Sequence, residues 1–283
     1  MPFIVLLIVP FFLWACPMEE RLIFHPDNTV SQTPRDAGLK FDDVYFTASD
    51  GVRLNGWFVP YPNARRTLVW FHGNAGNISH RIHNLKLLHD KVKINVFIFD
   101  YRGYGRSGGK LSESGTYLDG AAAIELLGNR YNVEMQQLIL FGRSLGAAVA
   151  VEMATRNKSL VLILESPFSS VPEMARTVFP LFPLGPLLRT QYNNLDKVRR
   201  IKSPLLVLHG DQDEIIPFSH GQKVFEAAPE PKKFHAIVGA GHNDTYLVGG
   251  EVYFITLRET FEWAASFHIS AQESRVPIAS WKP

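Results

Sequence analysis

Eight short apolar runs punctuate this chain, and helical or polar stretches separate most of them. The runs at residues 44–47 and 54–59 flank a turn at Ser49-Asp50-Gly51, which predicts two strands joined tightly. Those at 67–71, 95–99, 138–141, 160–164, 205–208 and 234–238 are apolar almost throughout. Continuous apolarity, in place of alternation, predicts strands buried on both faces. Helices are read at 85–89, at 119–127, in the Ala-rich stretch after Ser144, and as an amphipathic segment at 252–268. Such alternation argues for a mainly parallel α/β sheet of about eight strands, covered by helices on both sides.

The pattern breaks at the N-terminus. Residues 1–18 carry no charged side chain, and 3–15 are almost wholly apolar. The stretch is just long enough to span a bilayer, although Pro2, Pro10 and Pro17 weaken it as a helix. Three readings stand side by side: an uncleaved anchor, a secretory signal, and a lipoprotein signal ending at Leu13-Trp14-Ala15-Cys16 with Cys16 lipidated. All three put the remainder, 19–283, at or across a membrane. The charges of Glu19, Glu20 and Arg21 against the lone α-amino group favour placing that remainder on the exported side.

Composition narrows the picture further. The 283 residues have a net charge of +2, and no run or face concentrates Lys and Arg, so nucleic acid is not an expected partner. Cys16 is the only cysteine, which excludes an intramolecular disulfide and a Cys-based zinc site. The histidines lack metal-ligand spacing, and no cofactor is indicated. Gly103-Tyr104-Gly105-Arg106-Ser107-Gly108 matches a dinucleotide fingerprint, but Gly109 to Gly115 reads as a continuing polar loop where an apolar helix should begin. Nothing in the sequence sets an oligomeric state.

The candidate chemistry centres on Gly142-Arg143-Ser144-Leu145-Gly146, between the run ending at Phe141 and the Ala-rich helix. At a strand-to-helix junction Gly-x-Ser-x-Gly is a nucleophile elbow, a tight turn that lifts the Ser144 hydroxyl above the sheet edge. A serine hydroxyl is a weak nucleophile and needs a base, which needs an orienting acid. Two later loops each follow an apolar strand: His209-Gly210-Asp211-Gln212-Asp213-Glu214-Ile215-Ile216-Pro217 and Gly239-Ala240-Gly241-His242-Asn243-Asp244. His242 is then the expected general base and acid, with Asp213 or Asp211 fixing its tautomer.

The order Ser, Asp, His is that of an α/β-hydrolase. Together with His72-Gly73-Asn74-Ala75-Gly76-Asn77 and Asp100-Tyr101-Arg102-Gly103-Tyr104-Gly105, these segments resemble that superfamily's serine hydrolases. More narrowly they resemble the group holding the bud-emergence proteins and the eukaryotic protein depalmitoylases. The resemblance implies an α/β-hydrolase fold and implies Asp213 as the acid, since it begins Asp-Glu-Ile-Ile-Pro. It also implies an oxyanion hole from the backbone amides of Leu145 and Asn74.

The implied activity is hydrolysis of an ester or thioester through an acyl-enzyme on Ser144. Its substrate is a small-molecule or lipid ester or thioester, with a lipidated protein in the same range. A serine peptidase of the same fold and a non-catalytic binding protein are the alternatives. Residues 171–194 fall where this superfamily inserts its cap, and their prolines predict a short apolar flap. Phe179, Leu181, Phe182 and Leu184 are either an acyl-chain wall or plain packing over the sheet.

Overall fold

The computed structural model describes residues 19–20, 23–178, 180 and 188–273, the last six as backbone. The apolar segment 1–18 with Cys16, and the cap residues Phe179, Leu181, Phe182 and Leu184, lie outside the described residues. Among the described residues, no helix is long and apolar enough to cross a membrane.

Each apolar run forms a strand. They are β1 (Asp42–Thr47), β2 (Arg53–Val59), β3 (Thr67–Phe71), β4 (Asn95–Asp100), β5 (Leu138–Arg143), β6 (Val161–Glu165), β7 (Leu205–Gly210) and β8 (Lys232–Ile237). All eight join one sheet in the order β1-β2-β4-β3-β5-β6-β7-β8. β2 runs antiparallel to both β1 and β4, and the remaining pairs are parallel.

The strands read as continuously apolar because successive side chains enter different cores. Val69, Phe71, Leu140, Leu162 and Val207 pack on one face, beneath helices Glu113–Tyr131, Leu145–Arg156 and Phe218–Ala227. Leu68, Trp70, Phe141, Ile163 and Leu208 pack on the other, beneath helices Ile82–Leu87 and Gly250–Glu273. The period-two geometry of a strand makes this division. β8, at the sheet edge, is only half covered, and of its residues only Ile237 is buried.

Two stretches differ from the sequence reading. The helix expected at 119–127 begins at Glu113, where the Ser112 hydroxyl caps the Gly115 amide at 3.1 Å. The polar stretch from Gly109 is therefore loop only as far as its cap. Residues 23–27, which carry no strand or helix pattern in the sequence, form a strap across the mouth of the β3 loop. Pro26 bridges Gly76, the Gly76 amide donates to His25 O at 3.0 Å, and Phe24 is buried in the core. Between β6 and β7, the described part of the crossover holds two short helices, Val171–Val178 and Asn194–Val198.

Candidate active site

β5 ends at Arg143 and the next helix starts at Leu145, so the reversal is made at Ser144, with φ 52° and ψ −117°. A side chain held there is strained, and the surroundings must enforce it. They do so by close approach. A Cβ on Gly146 would fall on the Phe71 carbonyl and 2.6 Å from His72 O, and one on Gly142 would meet the Ala150 methyl at 2.6 Å. The Ser144 amide donates to Glu165 O at 2.9 Å, fixing the turn to β6.

The loops after β7 and β8 bring the expected acid, Asp213, to the expected base, His242. His242 Nδ1 lies 2.8 Å from Asp213 Oδ2, while Asp213 Oδ1 accepts from the Ile215 and Ile216 amides at 3.0 and 2.7 Å. Burial pushes the Asp213 carboxyl up. Hydrogen bonds from His209 and His242, the nearby His242 charge and the Ile216 amide outweigh that and hold it well below the usual carboxylate range. An ionised carboxylate only accepts, so His242 carries its proton on Nδ1 and leaves Nε2 free to take another. Asp211, the rival acid, instead accepts from the Gly239 amide at 2.7 Å.

Ser144, Leu145, His242, Gly73 and Asn74 line a single cavity of about 650 Å³. Its far wall is apolar, with Ile23, Phe168, Met174, Val178, Leu188 and Ile216. Arg81 and Arg143 also line it, and none of its described lining residues is a carboxylate. The Leu145 amide opens the elbow helix beside the nucleophile. Asn74 sits on the loop after β3, whose next two residues take left-handed backbone angles, Ala75 at φ 64° and Gly76 at φ 73°. Phe179, Leu181, Phe182 and Leu184 of the expected cap wall lie outside the described residues, whereas Val178 and Leu188 beside them reach the cavity.

Arg143 and Glu165, at the edge of the site, were not singled out by sequence. Arg143 Nη2 donates to His242 O at 2.6 Å, and its Nε lies 3.5 Å from Glu165 Oε1. Glu165 in turn accepts from Thr245 Oγ1 and, at 2.8 Å, from Tyr253 Oη. The only hint was a charged residue closing each of two apolar strands. His209 Nε2 donates to Ile216 O at 2.9 Å and stands 3.4 Å from Asp213 Oδ2, a second imidazole on the acid. His72 is fully buried, and burial pushes its ring down to about 3, so it is neutral. It donates Nδ1–H to Gly73 O at 2.8 Å and braces its own loop.

Known proteins resemble this chain in sequence and fold. The family model for the serine aminopeptidase S33 hydrolases matches residues 62–190. Alpha/beta hydrolase domain-containing protein WAV2 of Arabidopsis thaliana is 35% identical over 263 residues, covering 84% of this chain and 85% of that one. Protein bem46 of Schizosaccharomyces pombe is 34% identical, with 78% and 77% covered. Among solved structures, the Pyrococcus furiosus esterase Pf2001 superposes with a TM-score of 0.70 at 25% identity, covering 84% of this chain and 98% of that one. With relatives this similar over most of their length, and a fold that superposes on a solved esterase, the chain belongs to the α/β-hydrolase superfamily, in its bem46-like group.

Proposed function

We propose that the protein is a serine hydrolase that cleaves carboxylic esters or thioesters bearing an acyl chain. The observation that carries this reading is the Asp213–His242 hydrogen bond, set in the same apolar-walled cavity as the strained Ser144. His242 Nε2 takes the Ser144 proton as Oγ attacks the carbonyl carbon. The amides of Leu145 and Asn74 receive the charge that develops on the carbonyl oxygen. The tetrahedral intermediate collapses, His242 protonates the departing alcohol or thiol, and the acyl group stays on Ser144. Water, activated by the same imidazole, releases the acid and restores the serine. Asp213, held ionised, stabilises the imidazolium at each stage.

The matched family model names serine aminopeptidases, which makes peptide hydrolysis the second reading. A free amino terminus is a cation and calls for a carboxylate subsite. The described lining offers Arg81 and Arg143 instead. Esters therefore suit this cavity better than amino-terminal peptides.

The uncharged segment 1–18 holds the enzyme at a membrane, with the catalytic domain on the exported side. Lipid esters, small acyl esters and lipidated proteins are its substrate classes there. Full-length protein should fractionate with membranes. Cys16→Ser should release a lipoprotein-type anchor and leave a spanning helix attached, and uncleaved protein in the soluble fraction would refute the tether.

The catalytic reading is tested with p-nitrophenyl esters of graded chain length beside an acyl-thioester series and an aminoacyl anilide. Turnover of the esters or thioesters should fall by several orders of magnitude in Ser144→Ala with the fold intact. Full activity in that variant, or preference for the anilide, would sink it. A folded protein that a fluorophosphonate does not label would indicate a binding protein.

A further inference from the structure

A main-chain amide serves as a preorganised donor only if its peptide plane is fixed before the charge develops. The Leu145 amide is fixed by the helix it begins. The Asn74 amide has no such support, because it lies in a loop entering two consecutive left-handed residues, and one of these, Ala75, carries a side chain. The restraint comes from the Asn74 side chain itself. Its Oδ1 accepts from Tyr104 Oη at 2.7 Å, from the Ala75 amide at 2.9 Å and from the His25 amide at 3.1 Å. Its Nδ2 donates to Ile23 O. One carboxamide thus ties the loop to a buried tyrosine on the β4 side and to the strap that crosses it. Arg81 Nη2 secures the far side, donating to Asn74 O at 3.2 Å and Ala75 O at 2.7 Å.

We propose that the Asn74 carboxamide and the Tyr104 hydroxyl are positioning residues that aim the Asn74 main-chain amide at the developing oxyanion, with the 23–25 main chain as their fixed support. Asn74 therefore has two separable parts, an amide that meets the substrate and a side chain that never does. Tyr104 is fully buried, and its ring packs edge-on against His72 and Tyr101, so its position does not depend on its hydroxyl. The inference rests on the reading of Ser144 as the nucleophile.

The test compares wild type, Asn74→Ala, Tyr104→Phe and the double variant on one p-nitrophenyl ester. Active sites are first titrated with a fluorophosphonate, so that misfolded molecules are not counted. A misplaced donor costs part of what a deleted one does, so kcat should fall about 10- to 100-fold in Asn74→Ala and about 3- to 10-fold in Tyr104→Phe. KM should stay within about threefold, because the ground-state carbonyl demands less of the donor. The double variant should be no worse than Asn74→Ala, since both changes break one network. Affinity for a boronic acid that mimics the tetrahedral state should fall in proportion to kcat/KM.

Variants whose kcat stays within twofold of an active wild type, or a rise in KM alone, overturn the positioning role. Tyr104→Phe decides the matter if Asn74→Ala does not fold, because it deletes a single oxygen. A wild type that neither turns over nor labels overturns the serine-hydrolase reading and this inference with it.

Discussion

The guanidinium of Arg143 donates to the main-chain oxygen of His242 at 2.6 Å, so the residue before the proposed nucleophile holds the backbone of the proposed base. The same side chain faces buried Glu165, which Thr245 and Tyr253 also hold. The elbow, the end of β6 and the histidine loop are thereby fixed to one another by a single buried ionic group. Arg143→Met should leave the Glu165 carboxylate without its cation and cost about 3–5 kcal/mol of stability in denaturant unfolding. Turnover should fall as well, because the His242 loop loses its tether. A variant with wild-type unfolding would show that the pair carries no net stability.

The two acids of the β7 loop should separate cleanly. Asp213→Asn preserves shape but lets His242 adopt the wrong tautomer, so kcat should drop about 10⁴-fold. Asp211→Asn exchanges only the acceptor for the Gly239 amide and should leave kcat within a few-fold. Steady-state kinetics on one ester suffices, and the opposite ranking would move the role to Asp211.

The strained elbow predicts a trade between stability and activity. Ser144 needs φ 52°, which glycine reaches freely and alanine does not. Both Ser144→Gly and Ser144→Ala should be inactive, with the glycine variant more stable than the alanine variant by about 1 kcal/mol. Equal thermal midpoints would mean that the turn is relaxed.

Asp100, beneath the β3 loop, sets a dependence on pH. Burial pushes its carboxyl up to about 7, against the weaker opposing pull of the Ile78 amide and the nearby Arg81 and Arg106 charges. The folded protein keeps this proton to higher pH than the unfolded chain does. The protonated acid's contribution is therefore whole below about pH 4 and is lost as pH rises towards 7. Asp100→Asn retains an acceptor for the Ile78 amide, which donates at 2.9 Å, and carries no charge to bury. Relative to wild type it should gain stability across that window, by up to about 4 kcal/mol, and the gain should level off above pH 7. A difference that is flat with pH would show that Asp100 titrates normally.

Residues 68–71 and 138–141 were legible as strands because burial on both faces leaves them no polar position. The elbow was legible because a strained reversal between packed elements demands small residues around one serine. The start of the 113–131 helix was hidden by Gly115, which reads as loop until Arg102 is seen packed against it. The Arg143–Glu165–Thr245 connection was hidden for a different reason. Its members stand 22 and 80 positions apart, counting 165 − 143 and 245 − 165; the pairing of β5 with β6 sets Arg143 beside Glu165, and the segment after β8 brings Thr245 to them. Likewise, residues 23–27 have no periodicity of their own, since their hydrogen bonds run to Asn74, Gly76 and Gly105.

The crossover between β6 and β7 supplies much of the cavity's apolar wall, including Phe168, Met174 and Val178, while the nucleophile, base and acid sit on loops after β5, β8 and β7. Under the proposed function, substrate preference and bond-breaking chemistry are thus written in different parts of the gene. An evolving lineage can rewrite one segment between two core strands, altering which acyl groups fit, without disturbing the serine or its partners. The same partition suits the laboratory: grafting that crossover from a relative should transplant its chain-length preference onto this scaffold in a single exchange.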